Sequence, residues 1–181
     1  NLEALSLHEA IPGHHLQNAI AMELNVPEFR RTLSHSAFGE GWALYTERLG
    51  KEAGFYQSPY SDFGRLGYEM WRAVRLVVDT GIHAFGWSRQ KAIDYLASHT
   101  ALPQSAVEDQ IDRYISWPGQ ALSYKMGEIK IRELRAKAEK ELGPQFDIRS
   151  FHDTVIGQGS LPMAVLEDVI NDWIAKQKMT K

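Results

Sequence analysis

The sequence contains no cysteine. Disulfides, thiolate metal sites and cysteine nucleophiles are thereby excluded, and any bound metal must be held by His, Asp or Glu. The redox compartment stays open, because an exported protein can also lack cysteine. No run of about 18 apolar residues occurs, so no membrane span is expected. Positive charge is not in excess either. Lys and Arg number 20 against 23 Asp and Glu, a net charge of −3, and the basic footprint of a nucleic-acid binder is missing. Alternating β-type runs with turn dipeptides are nearly absent, as are internal repeats and low-complexity tracts. What is present is an ordinary globular composition: 181 residues, 44% hydrophobic and 24% charged, enough for one domain with a sizeable core. The chain opens Asn-Leu-Glu without an initiator Met, and its strongest motif begins at His8. Residues 1–181 are therefore expected to form a single domain, the C-terminal portion of a longer protein.

Apolar residues recur mostly at three- and four-residue spacing, the amphipathic helix period. The pattern predicts helices over 2–11, about 15–24, 36–52, 61–85, 89–98, 103–115, about 120–142, 148–156 and from about Pro162 to Lys176. Ser88 and Asp147 are expected as N-caps, with Gly86 and Gly143-Pro144 as stops. Phe38, Trp42, Tyr45 and Leu49 form one apolar stripe, and Leu66, Met70, Val74, Val77 and Val78 another. Ile129, Leu134 and Ala138, interleaved with Lys, Arg and Glu, mark an amphipathic helix with a solvated face. The expected fold is all-α.

The densest group of chemistry-bearing residues is HEAIPGHHLQ at 8–17. In the pattern H-E-x-x-H, two histidines one turn apart bind zinc, and the Glu beside the first polarises the attacking water. Here the residue four after His8 is Pro12, which is no ligand, and the next histidines are His14 and His15. A regular helix can use neither. Six residues on, the side chain is rotated about 240°, and seven residues on it lies about 10 Å along the axis. Two nitrogens on one zinc are at most about 4 Å apart. A metal site therefore requires a deformed helix, and Pro12-Gly13 supplies the deformation. Pro12 has no N–H for the carbonyl of His8, and Gly13 has the freedom to loop out the extra residues. Two histidines after Pro-Gly are also compatible with a plain turn. On the residues alone, both readings stand, and so do both histidines.

A third ligand would come from a following helix. SAFGEGWALYTERLG offers Glu40 and Glu47. Glu40 lies between Gly39 and Gly41, where the backbone has room to pass close to a metal. A carboxylate among Ala, Phe, Trp and Leu also needs a buried partner. Glu47, seven residues on, is placed to orient a ligand histidine.

HEAIPGHHLQ, EGWALYTERLG, DTGIHAFGWSRQKAIDYL, PGQALSYKMGEIKIRELR and FHDTVIGQGSLPMAVLEDVI follow one another across about residues 5–172. Together they resemble the C-terminal part of the bacterial family catalogued as domain of unknown function 885. That family resembles in turn the helical gluzincin peptidases, such as thimet oligopeptidase, carboxypeptidase Taq and dipeptidyl peptidase III, whose zinc motif ends in Gly-His. The resemblance implies a zinc-metallopeptidase-like catalytic domain holding one zinc ion on His8, His14 and Glu40. Glu9 would then be the general base for the attacking water, and a peptide or amide the substrate. The missing N-terminal region is expected to complete the cleft. The alternatives are a hydrolase of a non-peptide amide or ester, and a non-catalytic metal-binding module. Against the latter, a structural zinc needs no spare carboxylate such as Glu9 beside its ligand.

Peptidases of this kind also need a donor to the developing oxyanion. Tyr124, after the Pro118-Gly119 break, is the first candidate, and His83 in DTGIHAFG the second. Arg113 is a candidate for binding a carboxylate. His152 is weighed between function and a local helix contact, while His35 and His99 read as surface or cap residues.

Overall fold

Ten α-helices make up most of residues 2–179, the part of the chain that the computed structural model describes, and no strand occurs among them. In order they are α1 (Leu2–Glu9), α2 (His14–Glu23), α3 (Glu28–Thr32), α4 (Ser36–Glu52) and α5 (Pro59–Phe85). Then follow α6 (Arg89–His99), α7 (Gln104–Ser116), α8 (Ser123–Leu142), α9 (Ile148–Ile156) and α10 (Met163–Met179). Short 3-10 turns at Gln120–Leu122 and Gly143–Gln145 lead into α8 and out of it.

The local signals act as their chemistry requires. The Ser88 side chain accepts from the Lys91 amide, and Asp147 from that of Arg149. Gly86 closes α5 in the left-handed region at φ 64°, which glycine adopts without steric cost. Several boundaries differ from expectation by one to three residues, the last helix running on to Met179 and α8 starting at Ser123. The first helix stops at Glu9 instead of residue 11, and α5 begins at Pro59, with Ser58 capping the Ser61 amide. The five-residue α3 was not anticipated; none of its residues is buried, so it leaves no apolar period to read.

Two apolar clusters form the core. Phe38, Trp42 and Tyr45 of α4 pack with Ile131 and Leu134 of α8, Phe151 of α9 and Ile170 of α10. Val74 and Val78 of α5 pack with Ile93 and Leu96 of α6 and Val107 and Ile111 of α7. The α4–α8 contact is unusually close because Gly41 and Gly127 face each other across it. A Cβ on Gly41 would fall 2.5 Å from the Gly127 backbone, and one on Gly127 would fall 1.9 Å from the Ala37 carbonyl oxygen. Gly41 therefore serves a helix crossing, not the close approach to a metal expected for it. A Cβ on Gly39 would meet nothing nearer than Gln17 Oε1 at 3.9 Å.

The expected apolar face of α5 is only half right. Val74 and Val78 are buried, but Leu66, Met70 and Val77 are 48, 49 and 39% exposed. Arg65, Arg72, Arg75 and Asp79 occupy the inner face instead. Buried charges persist only when paired. Arg72 Nη2 accordingly lies 3.1 Å from Glu47 Oε1, and Arg65 bonds Asp62 and Glu69 at 2.8 Å each. Arg75 donates to the Tyr114 hydroxyl at 2.8 Å and stacks on Trp71 and Tyr124 at 4.3 and 4.4 Å. These groups form a polar seam beside α4, where the candidate site is built.

Candidate metal centre

The chain leaves α1 after Glu9, turns through Ala10–Gly13 and restarts as α2 at His14. Gly13 makes the turn possible. A Cβ there would lie 1.9 Å from the carbonyl oxygen of His8 and 2.4 Å from that of Leu7, so the returning backbone rests directly on the end of α1. Trp42 Nε1 donates to the Pro12 carbonyl at 2.8 Å, and the Thr46 hydroxyl to that of Leu7 at 2.9 Å. Both bonds fasten α1 and its turn to α4. The six-residue gap between His8 and His14 is thereby folded away, and the two rings stand edge to face with centroids 4.8 Å apart.

Glu40 joins them from α4. Its Oε2 lies 3.2 Å from His14 Nε2 and 3.6 Å from His8 Nε2. One donor atom from each of His8, His14 and Glu40 can be chosen so that all lie within 4.8 Å of one another. Burial alone would push the Glu40 carboxyl up, but hydrogen bonds from His14 and His8 outweigh it and hold it down at about 2. Burial would likewise lower the His8 imidazole, yet its bonds to Glu40 and Glu47 raise it above the usual histidine range.

His8 is oriented from behind. Its Nδ1 lies 2.7 Å from Glu47 Oε1, and Glu47 is itself 1% exposed and paired with Arg72. A carboxylate on Nδ1 fixes that nitrogen as an N–H and aims Nε2 at Glu40 and His14.

The other wall comes from the segment before α8. Asp79 of α5 accepts from the Gly119 amide at 3.2 Å and fixes the turn after Pro118. Gln120 follows, and its Nε2 reaches Glu40 Oε1 at 3.4 Å and the Tyr124 hydroxyl at 3.3 Å. The ring of Tyr124 stacks on that of His8 with centroids 6.2 Å apart. Arg113 Nη2 also donates to the Tyr124 hydroxyl at 3.3 Å. With two donors on its oxygen, the hydroxyl has its own proton to give, and it contributes to holding Glu40 ionised. A groove of about 510 Å³ runs from His14 and Glu40 past Gln17, Asn18 and Ser36 to Trp117 and Gln120.

The family model described as "Bacterial protein of unknown function (DUF885)" matches residues 1–170. The chain belongs to this family. It is similar to the crystal structure of a candidate lipoprotein from Colwellia psychrerythraea, at 47% identity and a TM-score of 0.94 over 96% of this chain and 30% of that one. It is also similar to a candidate lipoprotein of unknown function from Shewanella oneidensis, at 26% identity and a TM-score of 0.87, over 94% of this chain and 31% of that one. The chain thus spans about a third of the length of these relatives. No curated protein matches it significantly.

Within this DUF885 chain the expected site residues are placed unequally. His8, His14 and Glu40 are brought together, with Glu47 behind His8 and Tyr124 beside it. His15 is exposed and points to no partner, so the geometry favours His14 of the two. Glu9, the last residue of α1, is exposed and makes no hydrogen bond or ion pair with any described residue. His83 is not part of the group. Its Nε2 lies 2.9 Å from the Tyr114 carbonyl, so it ties α5 to the end of α7. His152 is packed against α4, with Nε2 2.7 Å from the Tyr45 hydroxyl. Gln120 and Arg72 were not anticipated. Gln120 stands four residues before Tyr124, one helical turn, which is the signal that places both on one face. Arg72 carries no such signal.

Proposed function

We propose that His8, His14, Glu40 and Glu9 are the metal and general-base set of a zinc-dependent hydrolase acting on peptide bonds. The observation that carries this reading is the convergence of two imidazoles and a carboxylate, with one imidazole held from behind by the buried Glu47. The donor set fits zinc. Four-coordinate zinc with bonds of about 2.1 Å keeps its ligand atoms roughly 3.4 Å apart. Two of the separations here are 3.2 and 3.6 Å, and all three donor atoms lie within 4.8 Å, so the two histidines would draw together on the ion. Three protein donors leave the fourth position open, as in catalytic and not structural zinc sites. The order of His, Glu and a later Gly-His also supports kinship with helical gluzincin peptidases.

When bound, zinc would act as a Lewis acid on the substrate carbonyl and on water. The chain's own residues supply the rest. Glu9, whose carboxylate is engaged by no other described residue, takes the proton of the attacking water and passes it to the leaving amine. Tyr124 donates its hydroxyl hydrogen to the oxygen on which negative charge develops, while Arg113 and Gln120 hold that hydroxyl in place. The remainder of the longer relatives would form the opposite wall of the groove.

Glu9→Gln in the full-length protein tests the chemistry. The side chain keeps its size but loses its basicity, which typically costs about 10² to 10⁴ in rate. The expected variant holds its zinc and its fold and loses hydrolysis of a mixed-peptide substrate pool. Near-normal turnover with zinc bound would refute the role. Loss of zinc would make Glu9 a ligand instead of a base.

A further inference from the structure

The groove beside the metal set is polar but carries almost no charge of its own. Gln17, Asn18, Ser34, Ser36 and Gln120 line it, with the indole of Trp117 59% exposed at one end. Uncharged amide and hydroxyl groups suit the N–H and C=O groups of a peptide backbone. At the Trp117 end stands one cation, Arg113, whose guanidinium lies 5.7 Å from the centre of the indole ring.

Of the eleven arginines of this chain, five are paired with an acid, and Arg113 is among the others. Arg65, Arg72, Arg89, Arg132 and Arg135 each have a carboxylate within 4 Å. Among the described residues Arg113 has none. Its hydrogen bonds go to two neutral oxygens, Gln120 Oε1 at 2.9 Å and Tyr124 Oη at 3.3 Å, and both are made by Nη2. Nε and Nη1 make no hydrogen bond to the protein, so part of the planar fork that matches a carboxylate is available. The side chain is half-buried and held at two points, so little rotamer freedom remains to be lost on binding.

Its position relative to the metal set is bounded by hydrogen bonds. Arg113 Nη2 to the Tyr124 hydroxyl is 3.3 Å, that hydroxyl to Gln120 Nε2 is 3.3 Å, and Gln120 Nε2 to Glu40 Oε1 is 3.4 Å. Nη2 is therefore no more than about 10 Å from the Glu40 carboxylate, the span of about three extended residues.

We infer that Arg113 recognises a substrate carboxylate within about three residues of the scissile bond. This rests on the hydrolase reading and narrows it to substrates that present an anion near the cleavage point. A free peptide C-terminus and an Asp or Glu side chain share that chemistry.

The test is calorimetric titration of the zinc-stripped full-length protein with short peptides. One set has a free C-terminus, one is the same set amidated, and one is amidated with an internal Asp, each with its Asn counterpart. Because no metal is present, the result does not depend on whether the site hydrolyses anything. Peptides with a carboxylate are expected to bind about 10- to 100-fold more tightly than their neutral counterparts, the range of one charge-assisted contact. Preference for the free terminus identifies an end-recognising site, and preference for Asp over Asn a side-chain site. Arg113→Gln should abolish the preference, and Arg113→Lys should restore only part of it, with the thermal transition of both near wild type. Equal binding of acids and amides, no binding of either, or an unchanged preference in Arg113→Gln would overturn the inference. The hydrolase reading would survive any of these if zinc binding and turnover are found separately.

Discussion

Gly13→Ala is a one-carbon perturbation whose consequence can be worked from the backbone. The added Cβ would fall 1.9 Å from the His8 carbonyl oxygen and 2.4 Å from the Leu7 oxygen. Both obstacles are main chain, so no side-chain rotation relieves the contact. Ordinary van der Waals separation is about 3.5 Å, and the turn must move away from α1 by more than about 1 Å. Overpacking of this kind costs about 1–3 kcal/mol. The displacement also falls on His14, the next residue. Zinc–ligand distances are held to within about 0.2 Å, so a shift of that size separates His14 from His8 beyond what one ion spans. Zinc affinity is expected to fall by at least about tenfold, measured by competition with a chromophoric chelator. Gly39→Ala is the matched control. Gly39 lies in α4 beside Glu40, the proposed ligand, but a Cβ there would meet nothing nearer than 3.9 Å. Ala is favoured over Gly in a helix interior by about 1 kcal/mol, so this variant should be as stable as wild type or more so and keep its zinc. Full zinc affinity in Gly13→Ala, or equal loss in both variants, would refute the account of how the turn builds the site.

Two further outcomes are expected. Glu47→Gln removes the charge that faces both His8 Nδ1 and Arg72, leaving a buried guanidinium without its counter-ion. It should lower stability by about 3–5 kcal/mol in chemical denaturation and weaken zinc binding about 10- to 100-fold; wild-type stability would show that the seam around Arg72 is misread. His152, pushed down to about 4 by burial and by Arg135, binds its proton more weakly folded than unfolded. The stability it confers is complete above about 6.5 and is lost as pH falls toward 4. After allowance for solvent screening this is on the order of 1–2 kcal/mol. A His152→Gln variant should therefore show a flatter stability profile between these pH values, and an unchanged slope would contradict the assignment.

Much of the fold was legible because helix boundaries here are written in local chemistry. Ser88, Asp147, Gly86 and Gly143 act at short range, and the structure uses each where the sequence has it. The inner face of α5 was not legible. Periodicity marked Leu66, Met70 and Val77 as core, but the partners of Arg65, Arg72 and Arg75 come from α4, α7 and the neighbouring turns of α5 itself. An apolar stripe reports amphipathicity without saying which side faces the protein. At the site, the motif and the family resemblance reached His8, His14, Glu40 and Glu47. The reason the irregular spacing works, Gly13 lying on the carbonyls of α1, is a three-dimensional close approach. His83 misled because a histidine that bonds a backbone carbonyl and one that faces a cleft look alike in one dimension.

The account's central claim is that His8, His14 and Glu40 hold one zinc ion. Metal analysis of the full-length protein, after dialysis against a weak chelator, tests it most directly. Wild type should retain about one zinc per chain. His8→Ala, His14→Ala and Glu40→Ala should each retain far less while remaining helical by circular dichroism, and His15→Ala should match wild type. A triple variant at His8, His14 and Glu40 that still retains one tightly bound zinc per chain, or a folded wild type that takes up none, would contradict it.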